Sequence, residues 1–193
     1  FSGILPASSL LDGDERFRAL AIHPLQTFAD AVIGVRAMIG SPFSVEGDEA
    51  SLPLAEELVN DLGGIPFRLA GKDKPLYHAA ACVASNYLVA LVASARQIMA
   101  ACGFAEEDSL KLLSPLLRGT GKNLATLGPE RALTGPIARG DVRTVAMHLE
   151  ALAELPADLQ EIYRVLGRKT VQVARAKGTL EEGAAEGILE LLR

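Results

Sequence analysis

Four polar side chains stand in a stretch that otherwise has the composition of a buried helix. The stretch covers residues 69–95, reads LAGKDKPLYHAAACVASNYLVALVASA, and contains Lys74, His78, Ser85 and Asn86. Polar groups in an apolar helix cost free energy unless they pair with one another or bind something else. These four side chains therefore either satisfy one another or line a site.

The helical angle places three of them on one side. At about 100° per residue, Lys74, His78 and Ser85 fall within roughly 40° of one another. Asn86 lies roughly 80° further round. A lysine at a helix start is unfavourable for the helix dipole. Two interpretations stay open: Lys74 extends to solvent and pairs with a carboxylate such as Asp73, or it donates to a substrate oxygen while His78 relays the proton.

Two other segments carry side chains suited to ligand binding. His23 ends an apolar run in RALAIHPLQTFAD, and ligands bind beyond the carboxyl ends of strands in open α/β sheets. A loop histidine bonded to its neighbours is the alternative. In LTGPIARGD, helix capping explains Asp141 but not Thr134 or Arg139.

The composition argues against several classes of protein. The chain has 193 residues, 24 acidic and 19 basic, with a formal net charge of −5. Its basic residues are scattered, which disfavours nucleic-acid binding. No uncharged apolar run reaches the roughly 18 residues of a membrane span, and no secretory signal is visible, so we expect a cytoplasmic protein without a membrane partner. The histidines are isolated from one another in the sequence, which predicts that the chain has no metal site. The two cysteines are predicted to be reduced thiols in the core.

A glycine-rich string in the second half of the chain does not fit a nucleotide-phosphate site. GTGKNL, residues 119–124, has leucine where a dinucleotide fingerprint needs its third glycine, and it follows a helix. As a phosphate loop it lacks the first glycine and the Ser or Thr after lysine. We find no other candidate for a phosphate cradle.

The pattern of apolar residues divides the chain in two. Strands are predicted at 18–22, 42–47 and 65–71, and a helix between the last two would make a crossover between parallel strands. From Asp73 the pattern is helical almost to the end, with a long helix to about Cys102, a second helix through GTGKNL, a loop at 128–141, and three more helices. We therefore place the boundary between an α/β part and an all-α part at residues 71 and 72.

Five segments in this order resemble a known family. They are HPLQTFAD, PFSVEGDE, AGKDKPLYHAAACVASNYLVAL, LLRGTGKNL and ALTGPIARGD. The chain resembles bacterial Rossmann-like oxidoreductases with a helical C-terminal domain of unknown function, which are related to pyrroline-5-carboxylate reductase, 6-phosphogluconate dehydrogenase and ketopantoate reductase. The resemblance implies a mainly α chain: residues 1–71 form the C-terminal half of a Rossmann-type α/β domain, and residues 72–193 form a 6-phosphogluconate dehydrogenase C-terminal-like dimerisation domain.

The resemblance also implies an activity. It suggests an NAD(P)-dependent oxidoreductase acting on a small carbonyl, imine or hydroxy compound, with the GxGxxG half upstream and Lys74 and His78 in the interdomain cleft as proton donor and relay. NADP or NAD is the expected cofactor, and a homodimer through the helical domain is the expected assembly. A non-catalytic dimeric module that binds a metabolite or a dinucleotide is the alternative. Substrate-binding residues are expected at His23, Ser85, Asn86, Asn123, Thr134 and Gly135.

Overall fold

The chain divides into two compact units, residues 1–91 and 92–193. The structure is a computed structural model that describes residues 3–11, 17–28 and 30–193. The first unit contains a small sheet and the second is helical, so the mainly helical character expected from the sequence is confirmed. The boundary expected at residues 71 and 72 falls inside the first unit, and as a domain boundary it stays a prediction.

The first unit is built on three strands in the order β1-β2-β3. They span Leu20–Pro24, Pro42–Gly47 and Ile65–Arg68. Strand β2 pairs with β1 in antiparallel and with β3 in parallel orientation. The predicted unit of strand, helix and parallel strand is therefore confirmed for β2 and β3.

Two helices connect these strands: α1, Ala31–Met38, precedes β2, and α2, Leu52–Asp61, precedes β3. Helix α2 buries Leu52, Ala55 and Val59, which lie on one helical face, and packs them against the apolar face of the sheet. Gly63, with φ of 74°, follows the end of α2, as the double glycine predicts.

The long apolar helix predicted from Asp73 is present as one helical stretch, Gly71–Ala101, with an irregular residue that divides it into two helices. Helix α3 spans Lys74–Ala84 and helix α4 spans Asn86–Ala101. The break is at Ser85, whose φ of −116° and ψ of −69° depart from helical values. The sequence gives no proline or glycine at this point, so its periodicity predicted one helix.

The second unit adds α5, Glu106–Ala132, whose course departs from the prediction at its end. Gly128 has φ of 76° and kinks the helix, and helical structure resumes through Pro129 to Ala132. We expected a loop from residue 128. Proline is tolerated in the first turn of a helix, which explains why Pro129 starts a new segment instead of ending the structure.

Three further helices, α6, α7 and α8, complete the second unit, and all three were predicted. They span Val142–Leu152, Ala157–Lys177 and Glu182–Leu191. The predicted cap of α6 is confirmed, since the Thr144 backbone N–H donates to Asp141 Oδ1 at 3.0 Å. The core between these helices is fully apolar and consists of Ile137, Val145, Val171, Ala174, Ala185, Ile188 and Leu192.

Two expectations about apolar residues need revision. Both cysteines are free, but Cys102 is exposed and Cys82 is half-buried, so neither is a core residue. Within the described residues, one helical stretch, Gly71–Ala101, is long and apolar enough to cross a membrane. The most apolar part of this stretch is not buried in the isolated chain. A single such stretch is weak support for a membrane span. The expected cytoplasmic location, with no membrane partner, stays a prediction.

Candidate functional site

The face of the sheet opposite α2 carries a row of polar residues. Side chains alternate between the two faces of a strand, so Phe43 and Val45 enter the core with α2 while Ser44 and Glu46 face the other way. His23 on β1 is paired directly with Ser44, and Ser44 is paired with Phe67 on β3. The sequence pattern of β2 thus places one row of side chains across all three strands.

Helix α3 brings a tyrosine onto this row. The Tyr77 hydroxyl lies 3.4 Å from His23 Nδ1, and the two rings meet edge to face with centroids 5.9 Å apart. The Tyr77 ring also meets Phe67 edge to face at 5.9 Å. The buried Ser44 hydroxyl is hydrogen bonded to Tyr77. Tyr77 therefore contacts one residue from each of the three strands.

The next residue of α3, His78, completes a pair of histidines. The His23 and His78 rings lie with centroids 6.2 Å apart. One turn further along α3, Cys82 Sγ lies 3.7 Å from His78 Nδ1. An imidazole, a phenol and a second imidazole are thus within a short distance of one another, and each of these groups can donate or accept a proton.

Burial and charge set the protonation of two of these groups. Burial, followed by the positive charges of His78 and Lys74, holds the pKa of His23 below its ordinary value of 6.5. Burial raises the pKa of Tyr77, and the hydrogen bond with Ser44 acts in the opposite direction. At neutral pH His23 is therefore a neutral imidazole and Tyr77 a protonated phenol.

Gly3 packs against both histidines. A Cβ atom on this residue would lie 2.6 Å from His78 Cδ2 and 2.8 Å from His23 Nε2. Atoms at these distances overlap, so only a residue without a side chain can occupy the position while the two rings stay in place. Gly3 therefore belongs to the immediate surroundings of the two histidines.

The Lys74 side chain is buried and does not extend into solvent. It is 1% exposed, and its Nζ lies 3.4 Å from Oε2 of Glu46, whose side chain is 13% exposed. The same Oε2 accepts a hydrogen bond of 2.7 Å from the backbone N–H of Ala7. Of the two interpretations left open by the sequence, pairing with a carboxylate is the one observed, but the partner is the partly buried Glu46 and not Asp73.

His23, Tyr77 and His78 border a pocket of about 770 Å³ that lies within the first unit. Its volume is in the range of small-molecule and cofactor sites. The lining combines apolar side chains with polar ones, and polar groups in such a pocket can orient a small organic ligand. The polar lining residues are His23, Gln26, Thr27, Tyr77, His78, Cys82, Ser85 and Asn86.

The pocket brings together four of the eight residues expected to form a site: His23, His78, Ser85 and Asn86. Lys74 is not among the lining residues and acts on His23 only through its charge. Asn123 on α5, with Thr134 and Gly135 after it, belongs to the second unit. The roles predicted for these residues in substrate binding stay predictions.

The strand-end argument for His23 is wrong although His23 does line the pocket. His23 is at the carboxyl end of β1, but β1 runs antiparallel to β2, so Pro24 pairs with Phe43 at the amino end of β2. The rule about carboxyl ends applies to parallel strands. His23 reaches the pocket because it faces α3.

Sequence reasoning missed three residues of this site: Ser44, Glu46 and Tyr77. The alternation in PFSVEG could have placed Ser44 and Glu46 together on one face. The spacing of three residues between Lys74 and Tyr77 could have placed the tyrosine on the same side of α3.

The described residues do not fit the phosphates of a dinucleotide cofactor. None of the three strands leads through a glycine-rich turn into a helix, which is the arrangement that presents backbone N–H groups to a pyrophosphate. The described part of the chain also holds no cluster of three or more His, Cys, Asp or Glu side chains suited to a metal ion. The polar side chains that line the pocket can donate and accept hydrogen bonds, and its histidines and tyrosine can also transfer protons.

Comparison with known proteins gave one family and similar structures. The model of a domain of unknown function, DUF2520, matches residues 41–170. Protein TM1727 from Thermotoga maritima is 27% identical with a TM-score of 0.73, and the match covers 90% of this chain and 68% of that one. A protein from Bacteroides fragilis named "putative NADP oxidoreductase BF3122" is 21% identical with a TM-score of 0.71, covering 89% and 63%. The latter likeness concerns the fold alone. No curated protein matched.

Proposed function

We propose that this chain, which belongs to the DUF2520 family, is the substrate-binding and dimerisation portion of an NAD(P)-dependent oxidoreductase acting on a small carbonyl, imine or hydroxy compound. The observation that carries the proposal is the pocket of about 770 Å³ in which His23, Tyr77 and His78 converge. Reduction or oxidation at a C–O or C–N bond moves one proton as well as a hydride, and these three side chains can supply or receive that proton.

Proton transfer in this proposal is the task of the residues that line the pocket. The neutral His23 imidazole can accept a hydrogen bond from the Tyr77 hydroxyl, which lies 3.4 Å from its Nδ1, and can take up a proton from a substrate. His78 keeps the relay role expected from the sequence, because its ring borders the pocket and faces His23. Lys74 is not used as a donor here, since its ammonium group is buried and paired with Glu46.

Substrate binding is assigned to the polar side chains next to the histidines. Ser85 and Asn86, at the break between α3 and α4, line the pocket and offer a hydroxyl and an amide. Ser85 has φ of −116° and ψ of −69°, which deviate from regular helix values and so change the direction of its side chain. A small ligand with oxygen or nitrogen atoms fits this lining.

In this proposal the hydride is assigned to a nicotinamide cofactor, whose phosphates the described residues of this chain do not fit. This assignment follows from the family resemblance and from the name of the Bacteroides fragilis protein, which mentions NADP. The kinship with pyrroline-5-carboxylate reductase, 6-phosphogluconate dehydrogenase and ketopantoate reductase is part of the same proposal. The homodimer expected from the sequence is also retained as a proposal.

A thermal-shift experiment on the product of the complete gene tests the function. A nicotinamide nucleotide that binds the native state raises the melting temperature in proportion to the logarithm of its excess over the dissociation constant. We expect NADPH or NADH to raise the melting temperature, and His78→Gln to leave that rise unchanged because His78 belongs to the substrate pocket. Absence of any shift with either nucleotide, together with a gene that encodes no GxGxxG motif, would instead favour the non-catalytic module.

A further inference from the structure

A single carboxylate joins three segments of the first unit. Glu46 on β2 accepts the backbone N–H of Ala7 through the same Oε2 that lies 3.4 Å from Lys74 Nζ. Its other oxygen, Oε1, lies against Gly71, 2.9 Å from the position that a Cβ atom would take. Glu46 thus contacts the segment 3–11, the start of α3 and the residue that precedes this helix by three positions.

Glu46, the segment 3–11 and α3 all lie next to residues of the histidine pocket, although of these only α3 lines it. The segment 3–11 carries Gly3, which packs against His23 and His78. Helix α3 carries Tyr77 and His78, three and four residues after Lys74, so one helical turn separates the ion pair from the site. Strand β2 carries Ser44, which shares a strand face with Glu46 and bonds Tyr77.

The pairing is too buried to be an incidental surface contact. Removing a lysine and a glutamate from water costs free energy that their attraction offsets only with good geometry, and a well-packed apolar pair of similar size would often be as stable. Stability alone therefore gives no reason for a charged pair here. The Glu46 carboxylate also accepts a hydrogen bond from the backbone N–H of Ala7 in a separate segment, and an apolar side chain could not accept this bond.

We propose that Glu46 is a positioning residue of the pocket: through Ala7 and Lys74 it holds Gly3 and α3 against His23, and so fixes the spacing of the two histidines. The proposal rests on the histidine pocket of the proposed function but needs neither cofactor nor substrate. Lys74 has a second effect in this arrangement, because its buried charge faces His23 together with His78 and Tyr77 from α3 and Ser44 from β2.

The test uses two double variants that differ in one respect. E46L/K74M and E46Q/K74M both remove the buried charges, but only the glutamine keeps an oxygen that can accept the Ala7 N–H. The nuclear Overhauser effect between Gly3 Hα and His78 Hδ2 reports the contact that the pocket needs. We expect this signal to persist in E46Q/K74M and to be lost in E46L/K74M. Its persistence at full intensity in E46L/K74M would overturn the proposal.

The histidine titration gives a second readout that a purely structural role would not move. In K74M alone, one positive charge that lowers the pKa of His23 is gone while the Glu46 carboxylate stays, so the NMR titration of His23 should shift to higher pH. An unchanged His23 titration would exclude the electrostatic part of the proposal.

E56Q is the matched control for both signals. Glu56 pairs with the exposed Arg68 at 2.8 Å and lies outside the pocket lining, so E56Q should alter neither signal.

A further variant covers the case in which E46L/K74M does not fold. Ala7→Pro removes the same N–H donor while it leaves Glu46 and Lys74 intact. The preceding Pro6 has φ of −68° and ψ of 151°, a conformation that a following proline allows. We expect Ala7→Pro to lose the Gly3–His78 signal, and its retention would count against Glu46 as the positioning residue. Failure of NADPH binding in the complete protein would leave all these outcomes unaffected.

Discussion

At the scale of single residues, the site depends on close contacts that leave no room for change. Gly3 lies against the edges of two imidazoles, and the Lys74 ammonium group is enclosed with Glu46. His23 and Tyr77 hold protonation states that follow from their burial and neighbours. The pocket is therefore defined by a few distances, and its residues give the most direct predictions.

Gly3→Ala should displace the histidines. The added methyl group would lie under 3 Å from atoms of His23 and His78, so at least one ring must move. We expect altered ring-proton chemical shifts for both histidines and a lower melting temperature. Gly119→Ala is the control, since nothing lies within 4 Å of that position in α5, and alanine is favoured over glycine in a helix. Unchanged histidine shifts in Gly3→Ala would contradict the position of the glycine.

The lowered pKa of His23 should make the first unit less stable at acidic pH than at neutral pH. Because its pKa is lowered in the folded state, the unfolded chain binds more protons below pH 6.5, and stability is lost as the pH falls from there through the folded-state pKa. Urea unfolding at about pH 7.5 and about pH 5.5 should show this loss in the wild type and a smaller one in His23→Gln. Asn86→Ala, which changes the same pocket without removing a titrating group, should keep the wild-type pH dependence.

The sequence identified some of these residues and missed others for a physical reason. His78, Ser85 and Asn86 were found because polar groups are conspicuous in an apolar helix. Tyr77 and Ser44 were not conspicuous, since both are common in half-buried positions. Lys74 was noticed, but its partner Glu46 is 28 positions away, and only the pairing of strands with α3 brings the two charges together.

At the scale of elements, boundaries were predictable where local chemistry fixes them. The strands β2 and β3, helix α2 between them, and the cap of α6 follow from alternation, periodicity and an Asp at the helix start. The irregular backbone at Ser85 and the helical segment after Gly128 do not follow from these rules: no proline or glycine marks Ser85, and proline allows a helical turn to start without requiring it. The antiparallel direction of β1 is likewise set by pairing at a distance and by nothing in its own residues.

Asp141→Ala should weaken the start of α6. The carboxylate accepts from the Thr144 N–H at 3.0 Å and from its hydroxyl at 2.6 Å, and these bonds lower the pKa of Asp141. Loss of this cap should reduce the melting temperature by a few degrees, whereas Asp141→Asn keeps an acceptor and should lose less. Asp158→Ala is the control, because Asp158 is inside the first turn of α7 and not at its cap. Equal losses in the Asp141 and Asp158 variants would contradict the capping role.

At the scale of the whole molecule, the exposed apolar surface of α3 is the feature that one copy of the chain leaves unexplained. Leu76 and Val83 are seven residues apart and lie on one helical face, with 78% and 60% of their surfaces exposed. Soluble monomers seldom expose contiguous apolar patches of this kind, and such patches mark interaction surfaces. A helix that is apolar on most of its faces, as the sequence of α3 is, cannot be covered by one layer of neighbours.

We therefore expect the chain to form a homodimer that buries this face of α3. Light scattering at micromolar concentration should give twice the mass of one chain, and Leu76→Lys with Val83→Lys should give a monomer, because burying two unpaired ammonium groups at an interface costs more free energy than the contact provides. Neither side chain lines the histidine pocket, so the pocket should persist in the monomer. Ile39→Lys, at a residue that is 73% exposed between α1 and β2, is the control and should stay dimeric. A monomeric wild type would refute the dimer, and a dimeric double variant would move the interface to another surface.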